Sequence, residues 1–245
     1  MSEVVAQKVE VIVTAGTPGA VAAKNATGSI PIIAVAMADP VRTGLVTNLA
    51  RPEGNLTGLS MGYGDQFVGK WLELLREIVP SLSSVAVISN PDNAVFRPLK
   101  QDVVAAASKL NLKIQMLDVR TAEAIDDTFK RARKEAQAVL LLGDPLTLTQ
   151  KRRIAKLAAV HRLPAVYNHR SFVDEGGLMS YAPDTDVQVR RAAEYVDQIL
   201  KGRKIADLPV EYPTAFKLVV NAQAAKAAGL VLPGSLLSRA DETLR

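Results

Sequence analysis

The sequence predicts an α/β fold of two Rossmann-like lobes, each with a parallel sheet. Three observations lead there. Runs rich in β-branched residues alternate with runs of helical periodicity, the strand-like runs are apolar with little polar alternation, and aromatic residues make up only 4% of the chain. Unalternating apolar runs suit a sheet covered on both faces, and β-then-α units with short connections specify parallel pairing.

The elements follow in order. The β-branched run Val9–Thr14 ends in Ala15-Gly16-Thr17-Pro18-Gly19, and an alanine-rich helix reaches about Asn25. A second strand, Pro31–Ala36, ends at Met37-Ala38-Asp39-Pro40. Arg51–Gly64 is a long Gly/Pro/Asn-rich interruption that reads as a hinge or crossover strand. Phe67, Trp71, Leu74, Leu75 and Ile78 recur at helical spacing until Pro80 stops the helix. Strand Val85–Ser89, the turn Asn90–Asn93 and a helix through Leu99, Val103, Ala107 and Leu110 come next. Strand Lys113–Leu117, helix Ala122–Glu135 and strand Ala138–Leu142 lead to Gly143-Asp144-Pro145. Helix Thr149–His161, strand Pro164–Tyr167, strand Leu178–Tyr181 and a helix through Val189, Ala193, Val196 and Leu200 follow. An extended Val210–Val220 and a short helix ending at Gly229 complete about seven strands and seven helices.

Composition excludes several classes. With 48% hydrophobic and 22% charged residues among 245, the chain has ample apolar side chain to offset ordering entropy, so it is not wholly disordered. The absence of cysteine removes disulfide scaffolds, thiolate metal sites and cysteine nucleophiles. His161 and His169 are the two histidines; neither has a partner at fixed spacing, and both read as surface or capping residues. No metal and no cofactor are expected. The net charge is +5, yet residues 1–62 balance four basic against four acidic residues. The excess concentrates in Lys130-Arg131-Ala132-Arg133-Lys134 and Lys151-Arg152-Arg153, on amphipathic helices. Aromatic residues that would stack on bases are not interleaved, so solvated outer faces are expected and a nucleic-acid partner is not.

In open α/β sheets, ligands bind beyond the carboxyl ends of the strands. Those ends here carry Thr14, Gly16 and Thr17, then Asp39, then Asn90 and Asn93, then Gly143 and Asp144, then Tyr167 and Asn168. Helix N-termini there offer backbone N–H groups to an anion, and Asp39 and Asp144 can offset an ammonium. The same residue types are also ordinary helix caps. The candidate ligand-binding set is Thr14, Gly16, Thr17, Asp39, Asn90, Asp144, Tyr167 and Asn168. Tyr63, Phe96, Tyr167 and Tyr181 are the aromatic candidates for a flat apolar slot.

Two motifs imitate enzymes. Gly58-Leu59-Ser60-Met61-Gly62 matches G-x-S-x-G, but that motif needs a strand running straight into a helix at the serine, and here it falls in the crossover. Ala15–Gly19 is neither a dinucleotide fingerprint nor a Walker loop. A serine hydrolase acting through Ser60 is the remote alternative; no enzymatic activity is expected.

The ordered set of segments resembles a known family. It runs from Val11-Ile12-Val13-Thr14-Ala15-Gly16-Thr17-Pro18-Gly19-Ala20 through Asp39-Pro40-Val41 and Arg51-Pro52-Glu53-Gly54-Asn55-Leu56-Thr57-Gly58. It continues with Leu72-Glu73-Leu74-Leu75, Gly176-Gly177-Leu178-Met179-Ser180-Tyr181, Ala206-Asp207-Leu208-Pro209-Val210 and Leu236-Leu237-Ser238-Arg239-Ala240-Asp241-Glu242. Together these look like the tryptophan/tyrosine-type substrate-binding proteins of bacterial ABC transporters, which have the class I periplasmic-binding-protein fold. The resemblance implies capture of a small organic solute, an amino acid for instance, in an interlobe cleft, and delivery to ABC permease subunits. It implies discontinuous lobes, residues 1–60 plus 182–208 and residues 61–181 plus 209–245. Thr17 and Asp39 would line the cleft from one lobe, and Asn90, Asp144 and Tyr167 from the other.

Against the family pattern, the chain starts at what would be the third strand. A first lobe incomplete in this way would expose the flank of that strand, and edge pairing into a homodimer would cover it. A misassigned start or a non-functional truncated paralogue is the corresponding expectation. The family implies a periplasmic location, whereas the chain as written has no signal peptide and would stay in the cytoplasm. The effector domain of a transcriptional regulator, which shares the fold, is the second functional alternative.

Overall fold

The computed structural model describes residues 1–62, 65–93 and 95–245, without the side chains of residues 65 and 66. Tyr63 and Gly64, the first of them an aromatic candidate, therefore lie outside the described residues. In chain order the elements are α1 (Ser2–Ala6), β1 (Ile12–Ala15), α2 (Gly16–Ala26), β2 (Ile32–Met37), β3 (Leu56–Ser60), α3 (Asp65–Ile78), β4 (Ser84–Ser89), α4 (Phe96–Lys109), β5 (Lys113–Asp118), α5 (Ile125–Glu135) and β6 (Ala138–Leu142). Then come α6 (Pro145–Thr149), α7 (Lys151–Val160), β7 (Ala165–Tyr167), α8 (Ser171–Asp174), β8 (Met179–Pro183), α9 (Thr185–Leu200), β9 (Phe216–Asn221), α10 (Ala222–Ala227), α11 (Gly234–Arg239) and β10 (Glu242–Leu244). The chain divides into two compact units, Met1–Tyr63 with Pro183–Ala215 and Gly64–Ala182 with Phe216–Arg245.

The first unit holds a three-stranded sheet in the order β1-β2-β3, with parallel pairing throughout. One face packs Ile12, Ile32, Ala34 and Leu56 with Ala20 and Ala23 of α2. The other packs Ile33, Val35 and Leu59 with Ala192 and Tyr195 of α9. Among the described residues β1 pairs with β2 alone, and Val13 is 55% exposed. β2 and β3 slip register between Ala34 and Met37, where Ala36 takes the left-handed conformation at φ 53°. That conformation costs a non-glycine residue about 1–3 kcal/mol, and β2 ends one residue later at Met37.

The residues Arg51–Gly64, expected as a hinge or crossover strand, contain β3, which pairs with β2 at the end of the three-stranded order. A second difference concerns residues 209–215, which the sequence reading gave to the second lobe and which belong to the first unit. Glu211 exchanges backbone hydrogen bonds with β3, its N–H to Gly58 O at 3.0 Å and its carbonyl to Ser60 N–H at 2.8 Å. Its carboxylate takes Arg191 Nη2 at 2.6 Å and Nε at 3.0 Å, plus the Tyr195 hydroxyl at 2.8 Å. The Arg191 guanidinium, aided by Tyr195, holds the Glu211 carboxyl below its ordinary range.

This network has a pH signature. A lowered folded-state value means the stabilisation is fully present above the unfolded carboxyl value near 4.5 and is lost as pH falls through the folded one. Glu211→Gln is therefore expected to cost about 1 kcal/mol at neutral pH, because the pair is partly solvated. The difference from wild type should shrink towards zero in acid, read from urea midpoints between neutral pH and about pH 3.

The second unit holds a seven-stranded sheet in the order β10-β9-β8-β7-β6-β4-β5. Its outer core joins Ile88, Leu141, Tyr167 and Val219 to Phe129 of α5, Ile154 and Ala158 of α7, and Phe172 of α8. Elsewhere in this unit Trp71 is fully buried, and its indole N–H donates to Tyr181 O at 2.8 Å. Phe67 meets Trp71 edge-on at 4.5 Å between centroids and contacts Tyr181 at 5.3 Å and Phe216 at 4.7 Å. β9 and β10 are strands the sequence reading left inside an extended segment and an unassigned tail. β10 has only three residues, too few to show a period.

Candidate functional site

The strand ends of each unit form a hydrogen-bonded polar set. In the first, Gly16 at φ 72° turns β1 into α2. Gly19 leaves Thr14 Oγ1 the room that a Cβ would fill, so the first helical turn lies directly on Thr14. Thr17, 6% exposed, accepts the Ala38 N–H at 2.9 Å and ties α2 to the end of β2. The Asp39 carboxylate accepts the N–H groups of Val41 and Arg42, both at 3.0 Å. It also lies against Tyr212, whose hydroxyl is held above its ordinary value by partial burial and by the Asp39 charge.

Ser60 completes this set and not a nucleophile elbow. Its buried hydroxyl donates to Ala38 O at 3.2 Å and accepts the Gly62 N–H at 3.0 Å. The side-chain amide of Gln188 donates to Ser60 O at 2.8 Å, while Gln188 Oε1 is buried without a partner among the described residues. Gly58 serves backbone packing, because a Cβ there would overlap the Ala34 carbonyl oxygen. The G-x-S-x-G pattern therefore records a tight β2–β3 contact and a strand-end fastener.

In the second unit β4 lies between β5 and β6. The chain moves from β4 to one side and then returns to the other, so the strand order reverses at β4. That reversal is where open α/β sheets bind ligands. Asn90 follows β4 and Asp144 follows β6 by one residue, and the Asn90 amide donates to Asp144 Oδ2 at 2.9 Å. Asp144 Oδ1 accepts the Thr147 N–H and hydroxyl, each at 3.0 Å, while Thr147 Oγ1 accepts the Asp144 N–H at 2.8 Å. This reciprocal capping box starts α6 at Pro145. The helix expected over Thr149–His161 is α7 (Lys151–Val160); the short α6 ahead of it, over Pro145–Thr149, was not expected. Ser89 Oγ, at the end of β4, is buried without a partner among the described residues.

Asn168 lies beside this pair but spans strand ends: its Oδ1 accepts the Gly143 N–H at 2.7 Å and its amide faces Gly143 O at 3.3 Å. Tyr167 does not join them. Its ring is fully buried, stacked on Phe172 at 4.9 Å with the planes 7° apart, and burial pushes its hydroxyl well above the ordinary range. Of the other aromatic candidates, Phe96 is 3% exposed, and Tyr181, half-buried, stacks with Phe67 and Phe216. His169 Nδ1 accepts the Ser171 N–H at 3.2 Å at the start of α8, a capping role. Thr147, Gln188 and Tyr212 were missed from sequence. The Asp144-x-x-Thr147 spacing carried the capping-box pattern, whereas nothing local marked the other two.

A family model described as "ABC transporter substrate binding protein" matches residues 1–244. The chain is 26% identical over 226 residues to the tyrosine-binding protein of Clostridioides difficile, covering 92% of this chain and 65% of that relative's length. A solved conserved domain protein from Vibrio cholerae is 28% identical with a TM-score of 0.92, over 99% of this chain and 81% of that one. The ABC domain crystallised with L-Trp from Streptococcus pneumoniae has a TM-score of 0.91 at 24% identity, over 99% and 83%, a likeness of fold.

Proposed function

Because the chain belongs to the family of ABC transporter substrate-binding proteins, we propose that it captures a small organic solute and presents it to membrane permease subunits. The carrying observation is that the family model spans residues 1–244. The Asn90–Asp144 pair at the strand reversal of the second unit supports the same reading. The chain spans less than two thirds of the curated relative's length, and that relative's name makes L-tyrosine the first solute to test. In this reading Asp144, held by Asn90, supplies negative charge for a solute ammonium. Export to the periplasm belongs to the proposal as well.

A thermal-unfolding screen against the common amino acids tests it. Ligand at a hundredfold excess over its Kd stabilises by about 2.7 kcal/mol, so a binding solute is expected to raise the midpoint by roughly 5–10 °C. A flat response across the panel would count against capture of an amino acid. Turnover is not part of the proposal; ester hydrolysis that disappears in Ser60→Ala would be required by the alternative.

A further inference from the structure

The two basic runs occupy neighbouring helices of the second unit. α5 and α7 pack together through Phe129, Ile154 and Ala158, and Arg153 reaches across to Asp126 and to Ala122 O. The acidic residues of α5 are matched: Asp127 pairs with Lys130, Glu135 with Arg131, and Asp126 with Arg153. Arg133, Lys134, Arg152 and Lys156 are exposed, and none has an ion-pair partner among the described residues.

Their placement on α7 runs against helix electrostatics. The N-terminus of a helix carries partial positive charge and favours acidic residues. α7 nevertheless opens on Lys151-Arg152-Arg153, with no acidic residue in its first turn and no side-chain cap from Gln150. Lys134 and Arg133, at the end of α5, are where a dipole argument would put them. Lys151 is paired with Glu175 and Arg153 with Asp126, which leaves Arg152 as the first-turn cation that opposes the dipole without an ion-pair partner among the described residues. A charge that costs the fold marks a surface kept for something else.

We propose that the α5–α7 face docks on an anionic phospholipid surface. The cations are spread over the exposed faces of two helices and lack the interleaved aromatics that single-stranded nucleic acid uses. Diffuse positive charge of this kind suits a plane of phosphate headgroups. The proposal rests on the functional reading in one respect, that the delivery target lies in a membrane.

Co-sedimentation with phosphatidylcholine vesicles, with and without phosphatidylglycerol, tests it on the whole chain at low salt. Wild type is expected to pellet with the anionic vesicles only and to be released by salt. Each cation near the surface is worth roughly a fivefold change in partitioning, so Arg152→Ala with Lys156→Ala should weaken it about 25-fold. Lys8→Ala with Lys201→Ala, in the other unit, removes the same charge and should leave it unchanged. The α7 variant should keep wild-type solute binding and unfold at the same or a higher temperature. No preference for anionic vesicles would overturn the proposal, as would equal weakening by both variants, or retention on DNA without vesicle binding. Solute failure with intact vesicle binding would instead count against the functional reading alone.

Discussion

Gly58→Ala should lower the stability of the first unit by at least about 3 kcal/mol, a fall of roughly 6–12 °C in the thermal midpoint. Gly58 sits at φ 142°, and an added Cβ would overlap the Ala34 carbonyl oxygen and lie 2.8 Å from Ala34 C and N. Backbone rather than a yielding side chain blocks the space, so β2 and β3 must separate. Leu56↔Ile32 and Thr57↔Ile33 pair immediately before this point, and Asp39 follows from the same strand. Ser60→Ala, by contrast, removes two hydrogen bonds and should cost about 1–2 kcal/mol. A hydrolase would reverse the order of importance in an activity assay, with Ser60 essential. Circular-dichroism melts of the two variants beside wild type provide the comparison; a Gly58→Ala midpoint within about 2 °C of wild type would contradict the packing described.

Trp71→Ala is the second large effect, expected at about 3–5 kcal/mol. The indole is fully buried and joins α3 to β8 through Tyr181 O, while Phe67 bridges it to Tyr181 and Phe216. Removing the ring leaves a cavity and takes the indole donor away from Tyr181 O. Trp71→Phe keeps much of the volume and loses the hydrogen bond, so it should cost distinctly less. Because Trp71 is the sole tryptophan, the urea midpoints are better followed by far-ultraviolet circular dichroism than by emission.

The βα alternation was readable because buried parallel strands are written as apolar runs such as Val85–Ser89 and Ala138–Leu142, all of whose residues are buried. Strand ends were readable from the same runs, which brought Asn90 and Asp144 onto one list before their hydrogen bond was visible. Tyr167 was placed on that list by position alone. It ends a strand of three residues, too short to reveal which face its ring takes, and it packs into the core with Phe172. β3 was obscured by Thr57, Gly58 and Ser60, residues chosen for close approach and strand-end bonds over β propensity. The return of residues 209–211 to the first unit depends on the long-range Glu211–Arg191–Tyr195 network, which no local period encodes.

Titration calorimetry of the amino-acid panel into wild type and Asn90→Ala tests the central claim most directly. The expected result is saturable one-to-one binding of at least one solute by wild type, weakened tenfold or more in Asn90→Ala, a loss of at least about 1.4 kcal/mol. A solute that binds Asn90→Ala as tightly as wild type, or a panel without any saturable binding, would contradict it.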